Sequence, residues 1–231
     1  MKCLNEKMLE IIDELKSLKN PRNIKGMARF GIVSKNTLGI SIYILRDIAK
    51  GIGKDHLLAQ QLWSSGIFEA KILASMVDEP EKVTEKQMEI WVKDFDSWGV
   101  CDQVCDNLFE FTKFNYKKIA EWTSRKEEFV KRAGFTIIAC LAVHDKEAKN
   151  EKFIKLLATI KREAKDERNY VRKAVNWALR NIGKRNLHLN KEAIKTAIEI
   201  QKIDSKSARW IAADALRELK SAPVQKRLKN K

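Results

Sequence analysis

Residues 94–112 read DFDSWGVCDQVCDNLFEFT, a run with five acids, two cysteines and no Lys or Arg. A Cys/Asp cluster of this kind could ligate a metal ion, so the first question is where the side chains point. On a helix begun by Ser97 as N-cap, each residue advances about 100° around the axis. Cys101, Val104, Cys105 and Leu108 then share one apolar face. Trp98, Asp102 and Asp106 share the neighbouring face at i, i+4 and i+8. Free cysteine behaves as a small buried hydrophobe, so both thiols are expected in the core. A structural zinc site would want two more Cys or His nearby, and His56, His144 and His188 are scattered. No metal and no cofactor is expected.

The acids call for a different account. Asp94 and Asp96 suit the dipole at a helix start. Asp102 and Asp106 are like charges at i, i+4, which costs a few tenths of a kcal/mol in an isolated helix, and no Lys or Arg in the helix offsets it. Gly99 lowers helix stability by about 1 kcal/mol relative to alanine, which points to a close approach to the backbone there.

The elements that must position these residues are helices. Alternating Val/Ile/Thr runs bounded by Asn-Gly or Gly-Gly turns are almost absent. Leu4, Met8, Ile11, Ile12, Leu15 and Leu18 fall on one face of a first helix, which Asn20-Pro21 ends. Further helical periodicity covers 35–50, 55–64, 66–77, 84–94, 98–111, 115–123, 127–143, 149–164, 168–183, 189–201 and 206–220. FEAKILASMV (68–77), VKRAGFTIIA (130–139) and VRKAVNWALR (171–180) resemble one another, each with a basic residue beside an alanine and an apolar stripe. Ala133 and Ala174 are 41 residues apart, and the Ala-Leu-Arg at 178–180 recurs 37 residues later within SARWIAADALREL. A period near 40 with two helices per unit is the signature of a HEAT or armadillo type solenoid. The expected fold is therefore all-α, a HEAT-like helical repeat in a single curved array over 1–222. A basic tail, 223–231, is expected to fray beyond Pro223.

A chain of 231 residues with 44% hydrophobic composition can bury a core without staples. Four cysteines and no apolar leader suit a reducing compartment, and the expected location is cytoplasmic. Charges interrupt every apolar run, so no membrane association is expected. With 46 Lys and Arg against 31 Asp and Glu, a net charge of +15, the surface would attract a polyanion. Nucleic acid is the first candidate partner.

If one helix of each pair lines a groove, Trp98, Asp102, Arg132 and Trp177 could project into it together. Periodicity leaves a second arrangement open, in which both tryptophans are core residues and Arg132 pairs with Asp102 between repeats.

GMARFGI (26–32), LWSSGIFEAKILASMV (62–77), DSWGVCDQVCDNL (96–108), FVKRAGF (129–135) and VRKAVNWALRNIGKRN (171–186) together resemble the AlkD-like family of DNA alkylation repair proteins, HEAT-like-repeat DNA glycosylases. The similarity runs over nearly the whole chain in consistent order. It implies hydrolysis of the N-glycosidic bond of cationic alkylated purines, of the 3-methyladenine and 7-methylguanine type, in double-stranded DNA, by a monomer without a base-flipping pocket. By motif, Asp102 matches the family's catalytic carboxylate, Trp98 and Trp177 its aromatics at the lesion, and Arg132 its groove arginine, here a phosphate clamp. Phe30 in GMARFGI is the candidate for a further N-terminal aromatic. Lys131, Arg172, Lys173, Arg180, Lys184 and Arg185 are expected to contact DNA phosphates. A noncatalytic repeat protein that binds damaged or branched DNA is the alternative.

Overall fold

A computed structural model describes residues 4–33 and 36–230. Cys3, the side chain of Leu4, Lys35 and Lys231, all included in the readings above, lie outside the described residues. Among the described residues every regular element is helical: α1 (Leu4–Ser17), α2 (Pro21–Arg29), α3 (Ile42–Ile52), α4 (His56–Ser64), α5 (Phe68–Val77), α6 (Glu85–Lys93), α7 (Trp98–Asn107), a 3-10 turn (Phe109–Phe111), α8 (Asn115–Trp122), α9 (Glu128–His144), α10 (Asn150–Glu163), α11 (Asn169–Gly183), α12 (Leu187–Gln201), α13 (Lys206–Leu219) and α14 (Ala222–Lys229). None of them is long and apolar enough to cross a membrane. The chain divides into two compact units, Met1–Phe114 and Asn115–Lys231.

The first unit is built on stacked indoles and one buried carboxylate. Trp63 of α4 and Trp91 of α6 lie face to face with ring centroids 4.0 Å apart, and Phe95 and Phe109 tilt against them. Such ring pairs contribute about 0.5–1.5 kcal/mol beyond their buried area. Glu69 of α5 is fully buried, where an ionised group needs donors. The backbone N–H groups of Leu38 (2.8 Å) and Gly39 (2.6 Å) supply them and pin the 36–40 segment. That segment in turn fixes α2, because Asn20 N–H donates to the Leu38 carbonyl at 2.8 Å and Asn23 Nδ2 to the Gly39 carbonyl at 2.9 Å. Gly39 has φ +79°, and a Cβ there would collide with the Asn20 carbonyl. Helix α2 was missed in the sequence. Asn20-Pro21 does end α1, but Asn20 also caps α2 by accepting from Asn23 N–H, and Pro21 occupies an opening position where its missing N–H costs nothing.

In the second unit, helix pairs repeat. Helix α11 packs between α9 and α13, and α11, α9 and α13 are backed by α10, α8 and α12 respectively. Every residue of α9 from Val130 to Ala142 is buried. Gly134 allows that fit, since a Cβ would lie 2.9 Å from Thr123 Cγ2 and 3.0 Å from its backbone nitrogen. Polar links recur at the expected period: Asn176 Nδ2 to Asp214 (2.7 Å) and Lys161 Nζ to Glu199 (2.8 Å) span 38 residues, and Asn181 Nδ2 to the Ala139 carbonyl (3.0 Å) spans 42. Where the tail was expected to fray, Ala222–Lys229 form α14. Pro223 lies in the first turn of α14, where proline is tolerated, and Val224 and Leu228, one turn apart, are buried.

Candidate functional site

Helix α7 starts where Ser97 Oγ accepts from Val100 N–H at 3.4 Å. Its phase is the one the sequence required. Cys101, Val104, Cys105 and Leu108 are fully buried, while Trp98 and Asp102 are half-buried on the adjoining face, one turn and about 6 Å of rise apart. Trp98 Nε1 donates to the Phe30 carbonyl at 2.9 Å. The chain from Glu69 through the 36–40 segment to α2 therefore ends on the indole that precedes Asp102. Phe30 itself caps α2 and is 75% exposed, so the first unit brings an exposed aromatic residue to Trp98.

One sequence reading around α7 gains its partner and another needs correction. The close approach at Gly99 is made by neighbouring side chains: a Cβ there would lie 2.9 Å from Phe68 Cζ and 3.2 Å from Ile32 Cδ1. Asp94 is the C-cap of α6 and its carboxylate accepts from Trp63 Nε1 at 2.9 Å, so it braces the indole stack instead of the start of α7.

In the second unit Trp177 is half-buried on α11, flanked by the fully buried Ala174 and Ala178. Arg132 is not an exposed clamp. It retains 6% exposure within the covered helix α9, and its Nη1 donates to the Tyr170 carbonyl at 2.6 Å, tying α9 to the first turn of α11. Phe129 and Tyr170 stack beside it with centroids 5.6 Å apart.

The expected phosphate contacts fare unequally. Lys131 is 9% exposed and paired with Glu163 (2.7 Å) and Asp166 (3.3 Å). Burial pushes both of those carboxyls up. Hydrogen bonds from Arg162 and Lys131 to Glu163, and from Arg168 and Lys131 to Asp166, outweigh it and hold both below the ordinary range. Arg180 binds Asp214 (2.8 Å) and Glu218, and Lys184 binds Glu218 (2.9 Å). Burial raises the Asp214 carboxyl, but hydrogen bonds from Asn176, Arg180 and Arg217 bring it down to about 2. Arg185 turns inward at the end of α9, donating to the carbonyls of Ala142 (3.2 Å), Lys146 (3.2 Å) and Ala148 (3.1 Å), with its guanidinium 4.6 Å from the Phe153 ring centroid. These residues have structural duties because helix C-termini leave carbonyls unpaired and facing helices match charge.

Arg172 and Lys173 remain accessible. Arg172 is half-buried and lies 5.1 Å over the Trp210 ring, and Lys173 is exposed. The Arg172–Trp210 pair was not singled out from the sequence, although both residues lie in segments of the repeat ladder. The charge match had a sequence signal too: Arg180 and Lys184 at i, i+4 face Asp214 and Glu218 at i, i+4, each pair 34 residues apart. That offset is close to the repeat period.

Residues 11–219 match the model of a family described as DNA alkylation repair enzyme. One solved structure, from a new family of proteins related to the HEAT-like repeat DNA glycosylases with affinity for branched DNA structures, aligns at TM-score 0.75 and 17% identity, covering 91% of this chain and 94% of that one. At this identity the likeness establishes the fold, a HEAT-like helical repeat. A designed armadillo repeat protein in complex with the peptide (KR)4 aligns at TM-score 0.36 and 15% identity over 80% of this chain and 88% of its own, too weakly to bear on the fold. No curated protein matches the sequence.

Proposed function

The chain belongs to the DNA alkylation repair enzyme family, and on that footing we propose that it is a monofunctional DNA glycosylase that excises cationic alkylated purines from duplex DNA. The observation that carries this reading is the pairing on α7 of Asp102 with Trp98, whose indole N–H is held by the Phe30 carbonyl, on a helix that supplies no Lys or Arg. A 7-alkylguanine or 3-alkyladenine already carries the positive charge of an activated leaving group. When the C1′–N bond breaks, the electron pair leaves with the purine, which becomes neutral, and cationic character passes to the deoxyribose. A carboxylate beside that sugar stabilises the charge and orients a water, whose oxygen bonds to C1′ while its proton passes to the carboxylate or to solvent. The products are an abasic site and the free base. No general acid is needed to expel a base that departs neutral.

The indole faces of Trp98 and Trp177 suit a cationic lesion or its sugar, at about 0.5–2 kcal/mol per cation–π contact. Arg132, buried and bonded to the Tyr170 carbonyl, acts in this scheme by keeping α9 and α11 in place. On α11, Arg172 and Lys173 retain accessible charge for phosphate contacts.

The test is release of free 7-methylguanine and 3-methyladenine from methylated duplex, with unmodified duplex as control. Enzyme-dependent release of both bases with an abasic site left behind is expected. A second reading, binding of branched DNA without catalysis, is favoured by the affinity named for the solved structural relative. It predicts tight binding of four-way and forked duplexes with no base released.

A further inference from the structure

The second unit contains a basic cavity that the proposed reaction does not use. It lies at the C-terminal ends of α9 and α11, under α14, and has a volume of about 360 Å³. Four cations line it, Lys146, Lys184, Arg185 and Arg227, together with the carboxamides of Asn181 and Asn186, and no lining residue is acidic. Part of this charge has internal work. Arg185 donates to the Ala142 carbonyl of α9 and to the Ala148 carbonyl beyond it, Lys146 reaches the Val143 carbonyl, and Lys184 pairs with Glu218. Carbonyl dipoles orient a cation without cancelling its charge, whereas Glu218 neutralises Lys184.

Arg227 has no such duty. Among the described residues no carboxylate pairs with it, and it is exposed. Yet α14 is fastened so that Arg227 meets this cavity: Val224 and Leu228 are buried, and Gln225 Nε2 donates to Asn190 Oδ1 (3.0 Å) and to the Leu219 carbonyl (2.6 Å). Like charges held together around an acid-free cavity oppose folding, and an anion would relieve them. Arginine and lysine side chains lining one space match the charge of a phosphate ester. The cavity is larger than a single ion needs and falls at the lower end of small-ligand sites.

We infer that this cavity is a phosphate site for DNA, taking either a backbone phosphodiester or the terminal phosphate of a strand end. The inference extends the DNA-binding part of the proposed function and does not depend on base release. The test compares wild type, Arg227→Gln, Lys146→Gln and Lys226→Gln, whose Lys226 lies outside the cavity, on blunt duplexes with 5′-hydroxyl and with 5′-phosphate ends. Thermal melting verifies that each variant is folded.

For a backbone contact, Arg227→Gln and Lys146→Gln weaken binding of both duplexes about three- to eightfold at 0.1 M salt, and the slope of log K against log salt falls by about 0.9. For a terminal phosphate, the same loss appears on the phosphorylated duplex alone. Affinity and slope unchanged in both variants would overturn the inference, as would an equal loss in Lys226→Gln. Should wild type bind no duplex at low salt, the proposed function fails separately, and inorganic phosphate decides the cavity. A phosphate-dependent shift of the Asn181 and Asn186 carboxamide NMR signals in wild type, absent in Arg227→Gln, upholds the site. No shift overturns it.

Discussion

Helices α7 and α11 each present a half-buried tryptophan beside charged residues, and they handle that charge in opposite ways. On α7 the helix supplies no basic residue, and its indole is oriented by a neutral carbonyl, that of Phe30. On α11 the basic residues are plentiful, but Arg180 and Lys184 are answered by Asp214 and Glu218 on the next repeat, and Arg172 lies over Trp210. Lys131 on α9 follows the same rule through Glu163 and Asp166. In a helical repeat, a cation whose acid partner sits one period away is spent on joining repeats. The count of 46 Lys and Arg therefore overstates the cations available to a polyanion.

The sharpest way to break this comparison is Lys131→Met. If Lys131 joins repeats, two partly buried carboxylates lose a partner, and the second unit is destabilised by about 2–4 kcal/mol, read from urea unfolding at pH 7. An unchanged midpoint with weaker, less salt-dependent DNA binding would return Lys131 to the phosphate contacts.

Asp214→Asn comes next, with an expected cost of about 1–2 kcal/mol at pH 7 from poorer acceptance of the Asn176, Arg180 and Arg217 hydrogen bonds. Its pH dependence is informative. The Asp214 carboxyl at about 2 lies below the ~3.9 of an unfolded aspartate. It thus contributes stability that is complete above about pH 4 and is lost as pH falls through 2. Unfolding measured from pH 5 to 2 should fall less steeply for the variant than for wild type. Parallel curves would mean that Asp214 is not held by these bonds.

The smallest effect belongs to Trp98→Phe, which keeps a ring but removes the donor to the Phe30 carbonyl. Base release is expected to slow about 2- to 10-fold, the worth of one hydrogen bond, with little change in melting temperature. Release at the wild-type rate would assign the orientation of this residue to packing alone.

Much of the fold was legible because helical phase and a repeat period are local, additive signals. The burial of Cys101 and Cys105, the half-exposure of Trp98 and Asp102, and the links spanning 38 and 42 residues follow from them. Features that depend on a partner were not legible. Pro21 and Pro223 read as breaks, yet each opens a helix because a cap or an apolar pair lies beside it. Gly99 did signal a close approach, but only packing reveals that the Phe68 ring makes it. Lys131 and Arg132 look like surface bases, and their burial follows from α9 being covered by its neighbours. The carboxylate of Glu69, far from any charge run, holds the segment that sets α2 against α7.

Asp102 is the centre of the proposed reaction. Release of 7-methylguanine from methylated duplex, measured in single turnover beside duplex affinity, should be about 100- to 1,000-fold slower in Asp102→Asn, the scale of losing one preorganised charge-stabilising group. Affinity should stay at or above that of wild type, because a carboxylate repels phosphate. Release by Asp102→Asn at the wild-type rate would contradict the central claim.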